Sequence, residues 1–142
     1  MRKVPVISIV DDDESVREAT TGLVRSFGYA AAPFASAEEF LQSARVRDTS
    51  CLISDVQMSG LSGAELQDRL NAAGHRVPII FITAFPEERI HSRVLKAGAC
   101  GFLTKPFNDD SLFECLDMAL KSQDGESSEQ VSVPRQSRGF EM

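Results

Sequence analysis

The sequence has no surplus of positive charge: 142 residues hold 15 Lys+Arg against 21 Asp+Glu, a formal net charge of −6. The basic sheath that a phosphate backbone requires is missing, so no direct nucleic-acid binding by this chain is expected. Cysteine is scarce. Cys51, Cys100 and Cys115 are an odd number, widely spaced and without a CxxC pair. That argues against a disulfide frame or a zinc site and for reduced thiols in a cytoplasmic protein, packed as buried or half-buried small hydrophobes. Long apolar runs are also lacking. None approaches the roughly 18 residues of a membrane span, so no membrane association is expected. The acids from Asp11 onward do not suit a signal peptide. His75 and His91 match no ligand spacing and read as surface residues. What remains is an acidic chain of a size that buries about two-thirds of its unfolded surface in one core without staples.

What is present is an alternation. Short apolar segments at Val4–Val10, Tyr29–Phe34, Cys51–Ser54, Val77–Thr83 and Cys100–Thr104 read as strands. Between them lie helical signals. Val16, Ala19, Leu23, Val24 and Phe27 recur at i, i+3, i+4 spacing and stop at Gly28. Ser36 with Glu39 and Ser62 with Glu65 form capping boxes, opening helices to about Ala44 and Ala73. Pro86, Glu87 and Glu88 suit a first turn, with Pro near its first position, of a helix ending at Gly98. Asn108 caps a last helix to about Leu120. The first and fourth strands are apolar nearly throughout, as in strands buried on both faces. The fold expected is a five-stranded parallel α/β sheet with helices on both sides.

After Leu120 the composition shifts to Ser, Gln, Glu, Gly and Pro, with Val131, Val133 and Phe140 as scattered hydrophobes. Residues 1–121 therefore read as one domain and 122–142 as a polar, disordered C-terminal tail.

In such a sheet ligands gather beyond the carboxyl ends of the strands. Asp11, Asp12 and Asp13 end the first strand, Asp55 the third, Thr83 and Ala84 the fourth, and Thr104, Lys105 and Pro106 the fifth. Each residue alone has an ordinary role as a cap, turn, strand or surface residue. Together they bring carboxylates, a hydroxyl and an ammonium to one rim. Converging carboxylates repel one another, and a hard divalent cation with Lys105 would relieve this. Mg²⁺ (or Mn²⁺) suits such oxygen donors. Asp55 stands alone on its strand end and is the better nucleophile, while Asp11 and Asp12 are the better metal holders. The layout is that of phosphoryl transfer to a carboxylate.

Four stretches then show a resemblance: Ile9-Val10-Asp11-Asp12-Asp13-Glu14, Ser54-Asp55-Val56-Gln57-Met58, Phe81-Ile82-Thr83-Ala84 and Phe102-Leu103-Thr104-Lys105-Pro106-Phe107. They look like the motifs of response-regulator receiver domains, and the surrounding sequence is similar to the FixJ subgroup. The spacings are 28 (83 minus 55) and 22 (105 minus 83) residues, and the resemblance covers about Val4 to Lys121. It implies a flavodoxin-like (βα)5 fold with strand order 2-1-3-4-5. It implies that Asp55 accepts a phosphoryl group from a sensor histidine kinase or phosphotransfer protein. Asp11, Asp12, Asp55 and the Gln57 backbone carbonyl would hold Mg²⁺. Lys105 and the backbone amides of Val56 and Ala84 would meet the phosphoryl oxygens. Thr83 and Phe102 would act as the switch, altering a surface made by the fourth helix, fifth strand and last helix. That surface would contact a downstream effector or a second copy in a homodimer. The Lys105–Pro106 bond would be cis.

The sequence departs from that family in one loop. Ser59-Gly60 follows Met58 where the family usually has Pro, and this predicts a less rigid loop. Gln57 and Phe85 stand where the family tunes phosphate lifetime, and a bulky Phe85 predicts slow self-dephosphorylation. Two other classes fit less well. A haloacid-dehalogenase-like phosphatase needs a second Asp where Gln57 stands. A flavodoxin-like cofactor protein needs a Ser/Thr/Gly-rich phosphate loop where the chain has Asp11 to Glu14. A signalling module, with self-phosphorylation but no turnover, is the expectation. It is either a stand-alone receiver or part of a FixJ/NarL-type transcription factor.

Overall fold

The computed structural model describes residues 4–125. The chain runs β1 (Val6–Val10), α1 (Glu14–Ser26), β2 (Ala30–Phe34), α2 (Ala37–Leu41), a 3-10 turn (Ala44–Val46), β3 (Cys51–Asp55), α3 (Gly63–Ala72), β4 (Ile79–Thr83), α4 (Glu88–Lys96), β5 (Gly101–Thr104) and α5 (Asp109–Gly125). All strand pairs are parallel, in the order β2-β1-β3-β4-β5. The strand order implied by the resemblance is the one observed.

Local chemistry sets most boundaries. Ser62 and Glu65 form the reciprocal capping box at the start of α3. At α2 only half of the box forms on Ser36: its hydroxyl accepts from Glu39 N–H at 3.0 Å, while Glu39 accepts instead from Ala35 N–H at 2.7 Å. Gly28 follows α1 at φ 98°, the left-handed conformation that closes a helix end most cheaply in glycine. Asn108 accepts from Ser111 N–H at 2.8 Å and caps α5.

Other ends differ from expectation. β1 and β4 start two residues late because Pro5 and Pro78 have no N–H to give; only their carbonyls join the ladder, to Ala30 and Leu52. β2 and β5 each begin one residue later than expected, and β3 includes Asp55. α2 stops at Leu41, where Ser43 starts the 3-10 turn by accepting from Arg45 N–H. Pro86 precedes the α4 cap residue, Glu87, instead of lying inside the first turn. α5 reaches Gly125, past the Leu120 expected. The tail expected over 122–142 lies from residue 126 onward outside the described residues.

The period-2 alternation of the strands divides the core. Ile7, Ile9, Cys51, Ile53, Ile80 and Ile82 face α1 and α5 through Val24, Leu112 and Leu116. Val10, Leu52, Ile79 and Phe81 face the other way, onto Phe40, Leu66, Leu70 and Val94 of α2, α3 and α4. Chain order reverses between β1 and β3, so their carboxyl ends flank the crevice where ligands of such sheets bind.

Candidate functional site at the carboxyl edge of the sheet

The acidic knot after β1 divides its labour. Asp13 is the cap of α1, its carboxylate accepting from Val16 N–H at 3.1 Å. Asp11 is buried at 1% exposure. Its Oδ1 accepts from Asp13 N–H at 2.9 Å, and Arg17 donates to its backbone carbonyl at 2.7 Å. Asp12 is exposed, and its Oδ2 accepts from both the amide and the hydroxyl of Ser59, at 3.0 and 3.2 Å.

Asp55, the last residue of β3, is buried at 8% exposure. Gln57 N–H lies 3.4 Å from its Oδ1. Burial pushes its carboxyl above the usual range; the Lys105 ammonium opposes this and the neighbouring Asp11 adds to it. Oxygens of Asp11, Asp12 and Asp55 lie within 4.8 Å of one another. Lys105 Nζ sits between two of them, 3.3 Å from Asp11 Oδ2 and 3.4 Å from Asp55 Oδ2. The expected residues of three strand ends thus meet in one pocket.

Thr83 ends β4, buried, with its hydroxyl accepting from Phe85 N–H at 3.1 Å. Ala84 follows and is exposed, and Phe85 is 69% exposed. Lys105 N–H donates to the Thr83 carbonyl at 2.8 Å, so the turn carrying the ammonium is tied to the end of β4. The Lys105–Pro106 peptide is cis, as the resemblance implies. Phe102 on β5 is half-buried against the α2–α4 side of the core.

One expected role is corrected. The Val56 amide donates to the Ile82 carbonyl at 3.1 Å and is spent in the sheet, so it is not available to a phosphoryl oxygen. The amide that faces the Asp55 carboxylate is that of Gln57.

Sequence reasoning missed several neighbours. Ser59 and Arg17 touch the site directly. Gly63 opens α3 against the acceptor strand: a Cβ there would run into the Asp55 carbonyl oxygen and stand 3.1 Å from Val56 Cα. His91, read as a plain surface residue, stacks its ring on Phe102 at 4.4 Å between centroids and 27° between planes. Only the small side chain of Gly63 and the S/G substitution after Met58 were visible signals.

Fold and rim define a doubly wound, flavodoxin-like α/β module with an acidic, lysine-bridged pocket at the switch point of its sheet. The profile of the response regulator receiver domain matches residues 7–117. The response regulator protein TmoT of Ectopseudomonas mendocina is 41% identical over 129 residues, covering 89% of this chain and 59% of TmoT. Among solved structures, the response regulator StyR superposes with a TM-score of 0.78 at 40% identity, covering 84% of this chain and 60% of StyR. FixJ-N superposes with a TM-score of 0.76 at 32% identity, covering 85% of this chain and 96% of FixJ-N. The chain belongs to the response-regulator receiver family of two-component signalling and is FixJ-like. It spans about three-fifths of the length of TmoT and of StyR.

Proposed function

We propose that this receiver takes a phosphoryl group onto Asp55 from the phosphohistidine of a sensor histidine kinase or a phosphotransfer protein. The observation that carries this reading is the Lys105 ammonium lodged between the Asp11 and Asp55 carboxylates, with Asp12 closing the cluster. The donor set is all oxygen and over-rich in negative charge, which fits Mg²⁺ or Mn²⁺. Asp11, Asp12, Asp55 and the Gln57 carbonyl would hold the ion. When bound, it supplies charge neutralisation for the phosphoryl oxygens.

An Asp55 carboxylate oxygen forms the new bond to phosphorus as the bond from phosphorus to the donor imidazole nitrogen breaks. The other ring nitrogen of the phosphohistidine carries a proton, so the imidazole leaves neutral with the electron pair of the broken bond on nitrogen. Lys105 shifts its contacts from the carboxylates to the incoming oxygens, and the Gln57 and Ala84 amides donate to them. The phosphate adds roughly 1.5 to 2 negative charges beside Thr83. The Thr83 hydroxyl turns from Phe85 N–H towards this charge, and Phe102 follows it inward. The surface of α4, β5 and α5 changes accordingly and controls an effector protein or a homodimer. Phe85 screens the acyl phosphate from water and slows its loss. The protein is a cytoplasmic switch with Mg²⁺-dependent self-phosphorylation and self-dephosphorylation, not a turnover enzyme. A second reading rests on length: the chain matches three-fifths of TmoT, which suits the receiver part of a FixJ/NarL-type transcription factor.

The test is to incubate the protein with Mg²⁺ and acetyl phosphate and weigh it intact beside Asp55→Asn. A single phosphoryl increment in the parent and none in the variant supports the assignment. Equal increments, or none in either, overturn it.

A further inference from the structure

We propose that Ser59 is a positioning residue that presents the Asp12 carboxylate to the divalent cation of the acceptor pocket; this rests on the metal reading above. Asp12 lies on the turn between β1 and α1, and its side chain is exposed. Left alone, such a carboxylate samples several rotamers, and a ligand must freeze it. Here the freezing is done in advance. Ser59, from the loop after β3 and 47 residues away, donates its amide at 3.0 Å and its hydroxyl at 3.2 Å to one oxygen, Oδ2. Both bonds are charge-assisted. Because they share Oδ2, the other oxygen keeps its lone pairs.

The donor is itself anchored. Two residues on, Leu61 N–H donates to Glu38 Oε2 of α2 at 3.0 Å, which holds the Glu38 carboxyl below its ordinary range. Between them Gly60 turns at φ 80°, and a Cβ there would stand 2.7 Å from Glu38 Oε2. Residues 59 to 61 therefore form a strap stretched between two carboxylates, one in the pocket and one on α2. A proline at 59, the residue the resemblance leads one to expect, has neither donor. The less rigid loop expected from its loss is tied by hydrogen bonds instead. Hydrogen-bonded partners of metal ligands commonly contribute about 10–100-fold to affinity.

The experiment titrates Mg²⁺ and Mn²⁺ calorimetrically into the unphosphorylated full chain without any phosphodonor. It compares the parent with Ser59→Ala, Ser59→Pro, Ser59→Thr and Asp12→Asn. Ser59→Ala keeps the amide, and its dissociation constant rises about 3-fold; Ser59→Pro loses both donors and rises about 10-fold. Ser59→Thr restores the hydroxyl and stays near the parent. The melting temperature of Ser59→Ala in chelator matches the parent's, which a merely structural role would not predict. Parent-like or tighter binding by Ser59→Ala, with Asp12→Asn impaired, overturns the role of Ser59 alone. Parent-like binding by Asp12→Asn overturns the metal reading and the inference with it.

Discussion

Lys105 Nζ stands 3.4 Å from Asp55 Oδ2, reaching from the turn after β5 past the end of β4 to the end of β3. The ammonium contacts two of the three carboxylates that would hold a divalent cation, and it competes with such a cation for them. Lys105→Ala should therefore bind Mg²⁺ more tightly than the parent and accept phosphoryl groups more slowly. In chelator it should be less stable by about 1–3 kcal/mol, below the roughly 3–5 kcal/mol of a fully enclosed pair because the pocket is open at one side. Calorimetric titration and denaturant unfolding measure both; weaker Mg²⁺ binding would contradict the competition.

On the proposed reading Asp55 serves function at the expense of stability. Burial, the largest influence on its carboxyl, disfavours the charged form. Asp55→Asn removes that charge from a buried position shared with Asp11. At pH 7 in chelator it should melt higher by a few degrees, of order 1 kcal/mol. A lower melting temperature would mean that the lost Lys105 contact outweighs desolvation.

Glu38 governs one part of the acid limb. Its carboxyl is held below the ordinary 4.5 by the Leu61 amide. A depressed folded-state value means that the contribution is present above the unfolded value and lost as pH falls through the folded one. The melting curves of the parent and Glu38→Gln should run parallel above about pH 5 and converge below 4.5. Parallel curves down to pH 3 would show that the bond carries no linkage.

Thr83 and Phe102 can be separated from the transfer step. Thr83→Ala should still gain one phosphoryl increment from acetyl phosphate. In the parent, phosphorylation should displace the His91 ring signals in NMR, because Phe102 leaves its stack. In Thr83→Ala those signals should stay put. Movement of the His91 signals in the variant would remove Thr83 from the switch.

Phe85, exposed beside the pocket, should act on phosphate lifetime. The isolated domain should hold its phosphoryl group for minutes, and Phe85→Ala should shorten that several-fold. Loss within seconds from the parent would sink the screening role.

The alternation of elements, the Ser62–Glu65 box and the Gly28 stop were legible because each is decided within a turn of chain. Asp11, Asp12, Asp55, Thr83 and Lys105 were legible because strand ends in a parallel sheet share one edge. What was not legible depends on pairing between distant segments. Proline's missing N–H at Pro5 and Pro78 moved strand starts that hydrophobicity alone places earlier. The Val56 amide could be excluded only once Ile82 was known to lie opposite it. Ser59 with Asp12, Leu61 with Glu38 and Phe102 with His91 leave no periodic trace in the sequence.

β5 is one of the two edges of the sheet, hydrogen-bonded to β4 alone, whereas β3 in the middle is gripped on both sides. Asp55 is thus mounted on a strand held along both flanks and Phe102 on one held along a single flank. On the proposed reading, charge added on a strand paired along both flanks would be read out at the margin, where a side chain can swing without disturbing two ladders at once. An outer strand would then serve as the hinge-side panel of the molecule, and the direction of information flow would follow from its place in the row.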